Sequence, residues 1–191
     1  SAGSTTGTVS FTPTDDSIYD ATSNETATID ISGVSGGSAT EDGTQNVTIT
    51  ITDNESAPTV TLSRSAAAID EDSSSTVTIT ATLSNATYQD VTVTIDGTGG
   101  TGTEGTDFGT VSNITISAGA TTGTATVDPT DDSVYEGNET AGISISGVSG
   151  GSATESGTQA VTITITDDES APTVTLYMKI DSSGYDYATT N

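Results

Sequence analysis

Asp131-Asp132-Ser133-Val134-Tyr135-Glu136-Gly137-Asn138-Glu139 packs four carboxylates into nine residues. A longer relative lies upstream, Asp15-Asp16-Ser17-Ile18-Tyr19-Asp20-Ala21-Thr22-Ser23-Asn24-Glu25. Clustered carboxylates can move protons or hold a cation, and the rest of the inventory decides between these. The chain of 191 residues has no His, no Cys and only two basic residues, Arg64 and Lys179. Catalytic triads, imidazole or thiolate zinc sites and Schiff-base chemistry all lack their groups. Enzyme activity is therefore not expected. Phosphate or nucleic-acid binding is excluded by the same shortage of cations.

A formal charge of -25 repels itself unless cations neutralise it. Hard oxygen donors without nitrogen or sulfur select Ca²⁺ or Mg²⁺. Irregular loops offering about six to eight oxygens, some from backbone carbonyls, suit the larger Ca²⁺. The bland alternative is a solvated acidic surface. Where the strands put the acids separates the two readings.

Internal repetition sets the frame. Ser1-Ala2-Gly3 returns as Ser117-Ala118-Gly119, and Gly33-Val34-Ser35-Gly36-Gly37 as Gly147-Val148-Ser149-Gly150-Gly151. Val47–Asp53 returns as Val161–Asp167, and Ala57–Leu62 as Ala171–Leu176. A unit of this length is a domain, not a solenoid coil. Residues 58–171 read as one complete unit and 1–57 as the second half of the unit before. Residues 172–191 read as the start of another unit or a divergent tail. The joints are Glu55-Ser56-Ala57-Pro58 and Glu169-Ser170-Ala171-Pro172, each stiffened by Pro. No signal peptide is visible; an export signal, if one exists, would lie upstream of this stretch. No apolar run reaches membrane-spanning length, so no membrane insertion is expected within it.

The complete unit has seven short alternating segments, rich in Val, Ile and Thr and separated by Gly, Asn, Asp and Ser. They are A, Thr59–Leu62; B, Thr76–Leu83; C, Asp90–Ile95; D, Val111–Ile116; E, Thr122–Val127; F, Thr140–Ser146; and G, Gln159–Thr166. With no helical period, this predicts an all-β fold of tandem seven-stranded antiparallel Ig-like β-sandwiches. If successive strands alternate in direction, loops A–B, C–D and E–F share one pole with the end of G. Every acid of the unit except Asp90 and Glu155 then falls at that pole. A charge serving solubility alone would spread over both ends.

These residues resemble the Calx-beta domain, found in sodium–calcium exchangers, an integrin and large bacterial surface proteins. The matching pieces are Glu104-Gly105-Thr106-Asp107-Phe108, Ile116-Ser117-Ala118-Gly119, Asp131–Glu139, and Val161–Glu169. The resemblance implies a calcium cluster held by Asp131, Asp132, the carbonyl of Val134, Glu136 and Glu139. Asp167, Asp168 and Glu169 would close it. In the first copy the corresponding residues are Asp15, Asp16, Asp20, Glu25 and Asp53, with Asn54 in place of the second terminal Asp. The first site is therefore expected to be the weaker. The family has Asp-Gly early in the C–D loop where this chain has Gly99-Gly100, with Asp96 set further back. It also has an acidic residue in strand A where this chain has Ser63 or Arg64. Fewer or weaker calcium ions follow. Glu71 matches a glutamate near strand B that could be structural.

Other features have plain readings. Thr-x-Thr runs look like ice-binding arrays, but a sandwich-length period makes them exposed strand faces. Asn24, Asn46, Asn54, Asn85, Asn113 and Asn138 open Asn-x-Ser/Thr sequons, which leaves glycans as a partner class. Tyr19 and Tyr135 read as packing each acidic loop onto its sandwich edge. The expected role is a calcium-stiffened repeat segment in an extracellular adhesin stalk or surface filament. Its partners would be neighbouring repeats of the same chain or filament subunits. The alternatives are a glycan- or protein-binding module, with the Tyr177, Tyr185 and Tyr187 tail as its aromatic surface, and a calcium-sensing switch. The half unit raises the further question of whether the same chain or another subunit completes it.

Overall fold

A computed structural model describes residues 3–20, 25–180 and 186–189 of the chain. The Asn24 sequon and Tyr185 lie outside the described residues. Every regular element among them is a strand. In order these are β1 (Ile18–Tyr19), β2 (Glu25–Asp30), β3 (Asn46–Ile51), β4 (Thr59–Arg64), β5 (Ala68–Asp70), β6 (Val77–Leu83), β7 (Ala86–Thr87) and β8 (Val91–Gly100). There follow β9 (Ile114–Ile116), β10 (Thr122–Val127), β11 (Glu139–Ser149), β12 (Thr154–Glu155), β13 (Ala160–Thr166), β14 (Tyr177–Ile180) and β15 (Asp186–Thr189).

Residues 59–166 form two facing sheets. One has the order β10-β6-β4-β12 and the other β5-β13-β11-β8-β9. The pairs β4–β6, β6–β10, β8–β9, β8–β11 and β11–β13 are antiparallel. After Arg64 the chain crosses between the sheets, and β5 pairs in parallel with β13. Each expected segment contains a strand, but the two sheets hold nine strands, not seven. The additions β5 and β12 are two or three residues long, too short to show a period. Segment D shrinks to β9 because Val111 turns inward, its amide donating to Glu104 Oε1 at 2.7 Å. Segments C and F lengthen because two glycines let their backbones close up. A Cβ on Gly142 would lie 2.5 Å from the Gly99 carbonyl carbon.

The core follows the predicted alternation. Val77, Ile79, Ala81 and Leu83 of β6 are buried against Val91 and Val93 of β8, Ile143 of β11, and Ile163 and Ile165 of β13. All buried apolar side chains among the described residues lie between Pro58 and Ile165. Phe108 is the largest fully buried side chain. It closes the core beneath the C–D loop, where Gly105 N donates to its carbonyl at 2.7 Å.

Residues 3–57 have no such core. β2 and β3 form an antiparallel hairpin, while the stretch expected as strand E of the half unit forms no strand. Val9 and Val47 are 83% and 63% exposed. The hairpin joins the sandwich through β1, which pairs in parallel with β7. Asn85 Nδ2 adds a hydrogen bond to the Ser56 carbonyl at 2.8 Å.

Truncating the buried ring of Phe108 removes apolar contacts and leaves a cavity. Phe108→Ala should lower the unfolding free energy by about 3–5 kcal/mol, read as a fall in the urea midpoint.

Candidate metal centre

The directions of the paired strands bring loops A–B, C–D and E–F to one end with the close of β13. Three carboxylate clusters form there: Glu71, Asp167 and Glu169; Asp107, Glu136 and Glu139; and Asp131, Asp168 and Glu169. In each, one oxygen per residue lies within 4.8 Å of the others. Six of the ligands expected in the second copy are thus brought together: Asp131, Glu136, Glu139, Asp167, Asp168 and Glu169.

Each acid is set by a local backbone cause. Asp107 follows a tight turn in which Thr103 N donates to its Oδ2 at 2.6 Å, and its carbonyl accepts from Thr130 N at 3.0 Å. Glu71 follows β5, and its amide donates to the Thr166 carbonyl at 2.9 Å. This places the Glu71 side chain, only 8% exposed, under the E–F loop, where Oε1 accepts from Asp132 N at 3.2 Å. Asp167 holds the E–F loop from the other side. Its Oδ2 accepts from the amides of Glu136, at 2.9 Å, and Gly137, and its Oδ1 from Glu169 N at 3.0 Å.

Two expected ligands stand apart. Asp132 lies outside the clusters and turns Oδ1 to the amide of Val134 at 2.6 Å. Val134 is 56% exposed, and Tyr135, at 48%, does not pack the loop down as expected. Asp96 caps its own turn through Thr98 and joins none of the clusters. The C–D loop contributes Asp107 instead. Asp107 and Glu71 are the site residues that the sequence reading left out of the ligand set. The direction of the strands was the signal, since it places both at this pole.

The first copy repeats part of the arrangement. Asp53 Oδ2 accepts from Asp20 N at 2.9 Å, as Asp167 does from Glu136. Asp15, Asp16, Asp20, Glu25 and Asp53 line one cleft of about 230 Å³ with Asn54 and Glu55. No trio of them meets as closely as the clusters above, among the described residues. Residues 1–57 contain no counterpart of Glu71 or Asp107.

Crowding shows in the proton affinities. The Glu169 carboxyl is pushed up to about 7 by its hydrogen bond to Asp167, then by burial and by the charges of Asp168, Glu71 and Asp167. Burial raises Glu71, Glu136 and Glu139, with a hydrogen bond to Asp107 adding to the last. Burial also pushes Asp167 upward, but the amides of Gly137, Glu169 and Glu136 and the Glu169 carboxyl outweigh it and hold it low. One proton between Glu169 and Asp167 thus relieves part of the repulsion. Glu169 Oε2 remains buried without a hydrogen-bond partner. Orphaned carboxylate oxygen in an all-oxygen pocket fits a hard divalent cation.

A family model for the LapA domain matches residues 56–168, more than half of the chain. The chain belongs to the LapA domain family. Its matched region spans both sheets and every carboxylate of the three clusters except Glu169. Among solved structures, this LapA domain chain is similar to the apo form of the Calx CBD1 domain, at 19% identity and a TM-score of 0.47, over 58% of this chain and 98% of that one. It is also similar to CBD12 from CALX1.2, at 19% identity and 0.48, over 58% of this chain and 45% of that one. A third is calcium binding domain CBD12 of CALX1.1, at 22% and 0.45, over 53% and 41%. No curated protein matches the sequence.

With metal withheld, the raised Glu169 predicts an inverse pH dependence. A carboxyl that binds its proton more tightly folded than unfolded adds stability below its ordinary value of 4.5. That contribution is lost as pH rises toward about 7. In chelator, the melting temperature should fall between these limits, and Glu169→Gln should flatten the fall. A slope identical in the variant would refute the assignment.

Proposed function

We propose that this LapA domain is a calcium-braced structural unit of an extracellular adhesin stalk or surface filament. The observation that carries the reading is the acidic pole itself. Glu71, Asp107, Asp131, Glu136, Glu139, Asp167, Asp168 and Glu169 converge from four segments, with a buried carboxylate oxygen left unpaired. Calcium there would supply the positive charge that the chain lacks and tie loops A–B, C–D and E–F to the end of β13. The LapA family is one of cell-surface adhesin domains, which fits this role. No helix among the described residues is long and apolar enough to cross a membrane.

We read the role as mechanical and not catalytic, since the sequence has no His, no Cys and a single Lys to activate a nucleophile. The site adjoins Glu169-Ser170-Ala171-Pro172, so bracing the pole also braces the exit to whatever unit follows. Partners on this reading are further repeats of the same chain or filament subunits.

Calcium should raise the melting temperature and chelator should lower it. One ion at a hundredfold its dissociation constant adds about 2.7 kcal/mol. Asp167→Ala, which removes the residue shared by the E–F loop and the end of β13, should abolish most of the calcium-dependent gain. Equal melting in calcium and chelator, with an unchanged hydrodynamic radius, would refute the calcium reading.

A further inference from the structure

One loop occurs twice in this chain and stands in two environments. In the first copy Ile18 and Tyr19 are half-buried as β1, with Ile18 opposite Ala86 and Tyr19 opposite Thr87. Tyr88 N donates to the Tyr19 carbonyl at 3.4 Å, and the Tyr88 hydroxyl donates to Asp16 Oδ2 at 2.8 Å. In the second copy the corresponding Val134 and Tyr135 belong to no strand and are 56% and 48% exposed.

The turn presenting the two segments is the same. Ile18 N donates to Asp16 Oδ1 at 2.8 Å, and Val134 N to Asp132 Oδ1 at 2.6 Å. The receiving backbone therefore takes its shape without a partner in place. Ile18 and Val134 are both β-branched and apolar, and the aromatic residue is conserved between the copies as Tyr19 and Tyr135. Backbone pairing of this kind tolerates sequence change, because main-chain groups carry it.

We propose that Asp132-Ser133-Val134-Tyr135 is a docking edge for the Ala86-Thr87-Tyr88 loop of a further sandwich unit following in tandem. The inference rests on the tandem reading above and names its contact. Two paired residues and one hydroxyl bond are too little for free association. A short joint supplies the effective concentration that such a contact needs. Glu169-Ser170-Ala171-Pro172 has the sequence of Glu55-Ser56-Ala57-Pro58, and it brings Ser170 to the place of Ser56, which Asn85 grips in the observed joint. The Tyr88 hydroxyl of the arriving unit would meet Asp132 as it meets Asp16 here. Successive units would then share one fixed orientation.

The chain has no cysteine, so paired cysteines report the contact cleanly. Residues 1–171 are continued directly by a second copy of residues 58–171. Ile18→Cys with Ala86→Cys in the first joint is the reference pair, since neighbouring strands lie roughly 4.8 Å apart and within disulfide reach. The test pair is Val134→Cys with Ala86→Cys in the appended copy. Val134→Cys with Thr98→Cys in the appended copy reports random collision. Under mild oxidation the test pair should close like the reference pair, and at least about tenfold faster than the collision control. Closure of the reference pair alone overturns the proposal, as does failure of both. Each reaction is run in calcium and in chelator. Closure in either supports the docking edge even if calcium leaves melting unchanged, and failure in both overturns it even if calcium raises melting.

Discussion

Like-charge repulsion at one end of the sandwich is the constraint on which the rest depends. Eight carboxylates in three clusters, two of them sharing Glu169, have no Lys, Arg or His among them. Burial makes this worse, because it weakens the solvent screening that would tolerate such a patch. The structure shows two partial remedies. Backbone amides of Glu136, Gly137 and Glu169 point at Asp167, offering fixed partial positive charge. A proton held near neutrality on Glu169 offsets one charge more. Neither remedy reaches Glu169 Oε2. A core confined to one face of each sheet can still hold the pole together, because Phe108 and Ile165 sit directly beneath it.

The topology explains why so few strands concentrate so many acids. Alternating directions send every second connection to the same end. The step of the chain from β4 to β5 moves the A–B loop across to the sheet containing β13. Without that crossing, Glu71 would sit above the opposite sheet, away from Asp167. The same logic clears the other pole. Asp90 is satisfied there by the amide of Ala118 at 2.8 Å, and Glu155 by the amide of Gln159. Those two acids fasten turns, and neither belongs to a carboxylate cluster among the described residues.

The sandwich and the acidic pole were legible in the sequence because both follow from period and parity. Alternation of Val and Ile with Thr identified the buried faces of β6, β8 and β13. The alternation of strand direction needed no side-chain detail. The ligand set was less legible, since it depends on distances between loops. Asp132 looks equivalent to Asp131, yet one is spent on the local turn and the other meets Asp168 and Glu169. Asp107 looked like part of a turn motif, and it is, but that turn also aims it at Glu136 and Glu139. Tyr135 failed for another reason. Its counterpart Tyr19 is half-buried where β1 pairs with β7, so contacts beyond the loop itself set the burial, and packing against the sandwich edge alone misplaces Tyr135.

The two acidic loops stand in different surroundings among the described residues. The first is tied to β7 through β1, and the second faces the A–B and C–D carboxylates and leaves Val134 and Tyr135 exposed. Asp53 and Asp167 nonetheless make the same bond to the amide at Asp20 or Glu136, so each acidic loop is tied to the close of β3 or β13. The backbone at Ile18 and at Val134 is held in the same aspartate-capped turn. A cation in the complete pole would tighten the tie to β13 through Asp167, Asp168 and Glu169. On the proposed reading, charge neutralisation and alignment between units would act on one stretch of backbone, and a stalk built this way would gain stiffness at its joints from the same ion that relieves the repulsion within each domain.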